Sequence, residues 1–200
     1  MTTSHSPGRK ERSRERILEV ASRGIRRKGF EATGVAEVMK QAGLTHGGFY
    51  AHFASRDELL SNAAFQAGVE SRAIMEAHID RLISAGVEPF RALVETYLHE
   101  DGIEDKENGC PVAALASEMP RQAESVQVES RKLVLHLHRL IVQSFDQDSR
   151  PADGEAWAIA SALVGALQLA RVAGDRESAR AILAGTKKML LERHAPRLQR

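Results

Sequence analysis

Thr45, His46, Tyr50 and His52 cluster in the stretch GLTHGGFYAHF, Gly43 to Phe53. Hydroxyl, phenol and imidazole tips at that density suit hydrogen bonding to phosphate oxygens or base edges. Gly47 and Gly48 sit among them, although glycine weakens a helix and the flanking pattern is helical. Such a pair is expected where a backbone must approach something more closely than side chains allow. Bond-making chemistry finds less support. His136 and His138 are two apart, ~200° around a helix, so they point to opposite sides and cannot clamp one metal. There is no HExxH, CxxC, Gly-rich phosphate loop or GxSxG, so no metal, cofactor or nucleophile site is expected. The one cysteine, Cys110, excludes an internal disulfide. It precedes Pro111 and so takes a helix N-cap, where the dipole favours thiolate over thiol; a small buried cap residue is the alternative.

The elements that must hold these residues are helical. Ala and Leu recur throughout, aromatics make up 4%, and period-two alternation is scarce, which predicts an all-α fold of about nine helices. The first ~8 residues are small and polar and read as a disordered tail. A first helix is expected from Arg9 to Lys28, with Ile17, Leu18, Ala21 and Ile25 as its apolar stripe, stopped by Gly29. Thr33 can cap a short second helix, which Gly43 stops, and Thr45 a third from His46 to Phe53. Two short helices joined by a glycine turn behind a longer support make a helix-turn-helix. A long helix of ~42 Å follows from Arg56 to Ser84, then helices near 88–100, 111–119, 123–145, 156–173 and 177–194. "DGIEDKENG" and "DQDSRPADG" read as loops, and Pro120 as the end of the 111–119 helix.

Composition bounds the partners. The chain has 200 residues and a net charge of +1. Residues 1–60 carry 11 Lys and Arg against 7 Asp and Glu, while 61–200 carry 17 against 20. A basic head on a mildly acidic body suits an anionic partner at one end; a solvated basic helix face gives the same count. The N-terminus has no apolar signal core, and Ala156 to Ala170 falls short of the ~20 residues of a membrane span. A cytoplasmic protein without a membrane partner is expected.

The run GFEATGVAEVMKQAGLTHGGFYAHFASRDELL, Gly29 to Leu60, resembles the DNA-binding segment of the TetR family of bacterial transcriptional regulators. That resemblance implies a dimeric all-helical repressor with a three-helix DNA-binding head, here residues 9–55, and a ligand-binding and dimerisation body, residues 56–200. By position it implies backbone contacts from Thr33, Tyr50 and His52 and a phosphate grip by Arg56. Thr45, with the helix N-terminus, is suited to a phosphate. His46 is placed to meet a base edge or a phosphate, or stands exposed without a partner. Gly47 and Gly48 would let the recognition helix sink into a major groove ~12 Å wide. Phe49 and Phe53 read as core. Many family members have Ser or Thr where this chain has Gly34 and Gly48, which shifts weight toward DNA shape.

In the body, the last two helices match the pair that forms a four-helix dimer interface in the family. The 156–173 helix is apolar on nearly every side, so one face can meet a partner; burial inside one subunit is the other reading. Two-fold symmetry would make the operator palindromic. Some similar regulators carry a cysteine in an equivalent "GC" and use it to sense electrophiles or oxidants, which would give Cys110 that role through an adduct or a sulfenic acid. Otherwise the effector is a small apolar molecule in the body, with Tyr97, Phe145 and Trp157 as candidate lining or as plain core. Two other classes stay open: a small helical enzyme, which would show turnover without DNA affinity, and a protein-binding adaptor, which would leave the basic head and glycine pair without a purpose.

Overall fold

The computed structural model describes residues 8–194, which are helical throughout, with no strand among them. In chain order they form α1 (Arg9–Lys28), α2 (Val35–Gln41), a 3-10 helix (His46–Ala51), α3 (Arg56–Ser84), α4 (Pro89–Tyr97), α5 (Asp101–Glu104), α6 (Pro111–Leu115), α7 (Glu124–Gln143), α8 (Asp153–Val172) and α9 (Arg176–His194). Two further 3-10 turns occupy Met119–Arg121 and Gln147–Ser149. Residues 1–7 of the expected tail lie outside the described residues.

Local chemistry explains the boundaries. α1 buries Ile17, Ala21 and Ile25 on one stripe and stops at Gly29, whose φ of 87° suits only glycine. α2 ends in a Schellman pair: Leu44 N donates to Met39 O at 2.9 Å and Gly43 N to Lys40 O at 3.0 Å, with Gly43 at φ 70°. Ser55 caps α3 by accepting from Glu58 N at 3.1 Å, and the Glu58 carboxylate accepts from Ala54 N at 2.7 Å. α3 is the spine, packing on α1, α4, α6 and α7, while α8 packs along α9. One continuous core runs from Ile17 in α1 to Leu190 in α9.

Several expectations change. The third helix, expected to reach Phe53, is a 3-10 helix ending at Ala51, because two adjacent glycines leave little propensity for an α-helical turn. α2 is capped by Gly34, not Thr33, and neither Gly34 nor Thr45 offers its helix a side-chain cap. The charged loop after α4 folds part of its length into α5, and α8 begins within the stretch read as a loop, its Asp153 and Glu155 matching the positive end of the dipole. α6 stops at Leu115, and Pro120 lies inside the 3-10 turn that follows.

Candidate nucleic-acid interface

The segment from Gly43 to Arg56 sorts into an outer and an inner face. Phe49 and Phe53 are buried and stacked with ring centroids 5.7 Å apart, anchoring the segment to the core. Arg14 of α1 lies over the Phe53 ring, 4.8 Å from its centroid, and donates to Asn62 of α3 at 3.1 Å. With the inner face so fixed, Thr45, His46, Gly47 and Tyr50 are exposed together on the outer one. Tyr50 is 73% exposed, its ring edge-on to Phe49 at 5.2 Å.

The glycines of this face are not required by the protein's own packing. A Cβ at Gly47 or Gly34 would meet nothing within 4 Å, and one at Gly48 would make only ordinary contact with Thr45 and Met39. Neither Gly47 nor Gly48 has positive φ.

Three expected contacts are placed differently. Thr33 is buried and its hydroxyl donates to Gly29 O at 2.7 Å, so it closes the α1–α2 turn and is not presented to a phosphate. Arg56 is half-buried, and its guanidinium donates to Phe30 O at 2.6 Å and Glu31 O at 3.5 Å, bracing the same turn. His52 is half-buried with its Nδ1 unpartnered inside. Gly48 is half-buried as well.

In the body, the candidate sensor and pocket residues separate into three packings. Phe145 packs on Phe90 at 4.4 Å, with His194 edge-on to both. Trp157 stacks on His138 at 4.2 Å. The Tyr97 phenol is buried without a hydrogen-bond partner; burial, then neighbouring Cys110, push its pKa well above the usual range, and Arg171 opposes them. Cys110 is 8% exposed and caps α6 as expected. It lines a gap of about 30 Å³ between α3 and α7, with Ser71 and His136. Burial and Arg72 hold the His136 pKa below its usual value. A larger cleft of about 670 Å³ opens between α3 and α4, lined by His78, Arg81, Glu95, Thr96 and His99, with the Thr96 hydroxyl unpartnered. No group of His, Cys, Asp and Glu among the described residues could hold a metal ion.

Comparison with known proteins decides the class. The profile of bacterial regulatory proteins of the tetR family matches residues 17–63, and that of the LmrA/YxaF-like transcriptional regulator C-terminal domain matches 85–184. An HTH-type transcriptional regulator of Mycobacterium tuberculosis is 30% identical over 171 residues, 81% of this chain and 86% of that protein. The chain belongs to the TetR family. As a TetR-family member it is a helix-turn-helix DNA-binding transcriptional regulator and not an enzyme, and the Gly43–Arg56 segment falls within the 17–63 match. Solved structures agree on the fold. A TetR-family regulator from Cytophaga hutchinsonii superposes with a TM-score of 0.77 over 96% of this chain and all of that one at 14% identity. One from Agrobacterium tumefaciens gives 0.73 over 94% of this chain and all of that one at 24%. No described helix is long and apolar enough to cross a membrane.

Sequence reasoning missed the residues that tie this TetR-family head to its body. Arg26 of α1 is buried and donates to Ala67 O at 3.3 Å and to the Glu70 carboxylate of α3, which also accepts from Ser22 at 2.7 Å. Glu118, after α6, accepts from Phe30 N at 2.9 Å. The partners lie 44 and 88 residues apart, beyond any local spacing rule.

Proposed function

We propose that the protein is a dimeric repressor that grips a palindromic operator with two copies of the Thr45–Tyr50 face and lets go when a small molecule acts on the body. The observation that carries this reading is that face itself: Thr45, His46, Gly47 and Tyr50 exposed together, over a rigid aromatic anchor. Its hydroxyl, imidazole and phenol would meet phosphates and base edges, with Gly47 and Gly48 permitting close approach. Arg56 and His52 would contribute by firming the segment or by reaching a phosphate as the DNA arrives. Residues 9–55 would act as the DNA-binding head and 56–200 as the regulatory and dimerisation body.

The dimer would form through α8 and α9. Leu169 (58% exposed), Val172 (77%) and Met189 (50%) place large apolar side chains in water on two helices packed side by side, a surface that suits a second copy. For the effector, the cleft between α3 and α4 is within the range of small-molecule sites and has a more polar lining than an apolar ligand would need. Cys110 offers a second input. Its gap of about 30 Å³ is no larger than one water's share of the liquid, so only a small electrophile or oxidant would reach the thiol. α3, which spans from the head to that cleft, would carry the displacement as the populations shift.

Fluorescence anisotropy against DNA from immediately upstream of the gene, with and without a mild thiol alkylator, tests both halves. Salt-sensitive binding that survives competition from random DNA is expected. Its loss on alkylation, but not in Cys110→Ser, would assign the sensor; equal affinity for random DNA would count against an operator there.

A further inference from the structure

We infer that Glu118 is the positioning residue through which the body sets the orientation of the DNA-binding head. Residues 29–33 lie in the turn that joins α1 to α2. On its N–H side, one carboxylate oxygen of Glu118 accepts from Phe30 N at 2.9 Å and from Glu31 N at 3.4 Å. On its carbonyl side, Arg56 donates to the oxygens of the same two residues. The backbone of two successive residues, Phe30 and Glu31, is thus held between an anion from the body and a cation at the start of α3. The other oxygen of Glu118 lies against the Gly29 backbone, where any Cβ would overlap the carboxylate. Gly29 is therefore needed twice, for its φ of 87° and for this approach.

The carrier of Glu118 is stiff. Its N–H donates to Leu115 O at 2.9 Å, and its carbonyl accepts from Arg121 N at 3.0 Å. α6, just before it, buries Pro111, Val112, Ala113 and Leu115 and packs against α1, α3, α7 and α8. Any rearrangement of the body that shifts α6 moves the carboxylate, and with it the turn from which α2 and the recognition segment hang. The Arg27–Glu107 pair at 2.9 Å adds a second tie from the same side of the body, but both side chains are over a third exposed, so it contributes little. Glu118 differs from the exposed Thr45–Tyr50 residues in that its carboxylate accepts from backbone N–H groups of the protein itself.

The test uses the full chain as wild type, Glu118→Ala and Glu118→Gln. The Gln variant removes the charge yet keeps an oxygen that can accept one of the two N–H groups. Amide exchange of residues 30–33 is expected to rise at least ~10-fold in Glu118→Ala and less in Glu118→Gln. Anisotropy is read on a duplex selected from a random pool by the wild-type protein and on an unselected duplex. Affinity for the selected duplex should fall about tenfold in Glu118→Ala, ~1.4 kcal/mol, while that for the unselected duplex changes by less than about twofold, because only the selected site needs the head held in register. Glu118→Gln should recover part of the loss. Unchanged exchange in Glu118→Ala, unchanged affinity for the selected duplex, or an equal fall on both duplexes together with a lowered melting temperature would each overturn the assignment.

Discussion

Replacing Glu70 by alanine is expected to cost ~3–5 kcal/mol of folding stability, the usual penalty for stranding a buried charge. The Arg26 side chain is inaccessible to water and its Nε already lacks a partner, so the guanidinium depends on what its Nη atoms meet. Those are Ala67 O and Ser22 Oγ, both at 3.3 Å, and the Glu70 carboxylate. Removing the carboxylate deletes the one anion in the set, takes from Gln66 the acceptor it donates to at 3.0 Å, and takes from Ser22 the one at 2.7 Å, leaving its hydroxyl only the long contact to Glu19 O at 3.5 Å. Glu70 is 23% exposed, so some water can enter the gap, which places the loss at the lower end, about 3 kcal/mol. Against a typical stability of ~5–15 kcal/mol this is a large fraction. Urea unfolding followed by circular dichroism, at one fixed protein concentration, should show the midpoint falling by ~1–2 M. The double variant Arg26→Met with Glu70→Leu should recover most of the loss, because it removes both charges and fills the space. A loss below ~1 kcal/mol in Glu70→Ala would show that the pair is solvated in solution and that α1 and α3 are held together by apolar packing alone.

Tyr50→Ala should leave the melting temperature within about a degree, since the ring is largely in water, but weaken binding to the selected duplex several-fold; equal affinity would remove Tyr50 from the interface. Gly47→Leu should fold normally, because nothing lies near its Cα, yet lose operator binding, and retained binding measured by anisotropy would undo the close-approach argument. Val172→Glu should shift the protein from dimer toward monomer in light scattering, and an undisturbed dimer would place the interface elsewhere than the α8–α9 face. The depressed pKa of His136 means that the unfolded chain takes up a proton before the folded one, so its contribution to stability is present above the unfolded value of ~6.5 and lost as pH falls below it. Unfolding measured from pH 7.5 to 5.5 should therefore be less pH-dependent in His136→Gln, and an unchanged slope would assign the effect to another group.

The parts of this molecule legible in its sequence are those governed by short-range rules. α1 and α3 run over the ranges that their apolar stripes predict, from Arg9 to Lys28 and from Arg56 to Ser84, because cap and glycine stop signals lie within a turn of their ends. The exposed residues of the recognition segment followed from a local pattern too. Thr33 misled because a hydroxyl at a plausible cap position can equally donate backward, here to Gly29 O four residues earlier. The contacts of Arg56 within the protein could not be read from spacing, because they are to carbonyls of a turn 25 and 26 residues away. The body aromatics show the same limit: Tyr97 and Trp157 lie in α4 and α8 and Phe145 just past the end of α7, but which neighbour each meets depends on how those helices cross, and no periodicity encodes that. Where a side chain points follows from sequence spacing; what it meets follows from topology. The contacts that tie α1 to α3 and Glu118 to the turn before α2 belong to the second kind, and for that reason Glu70 and Glu118 had to be found in space.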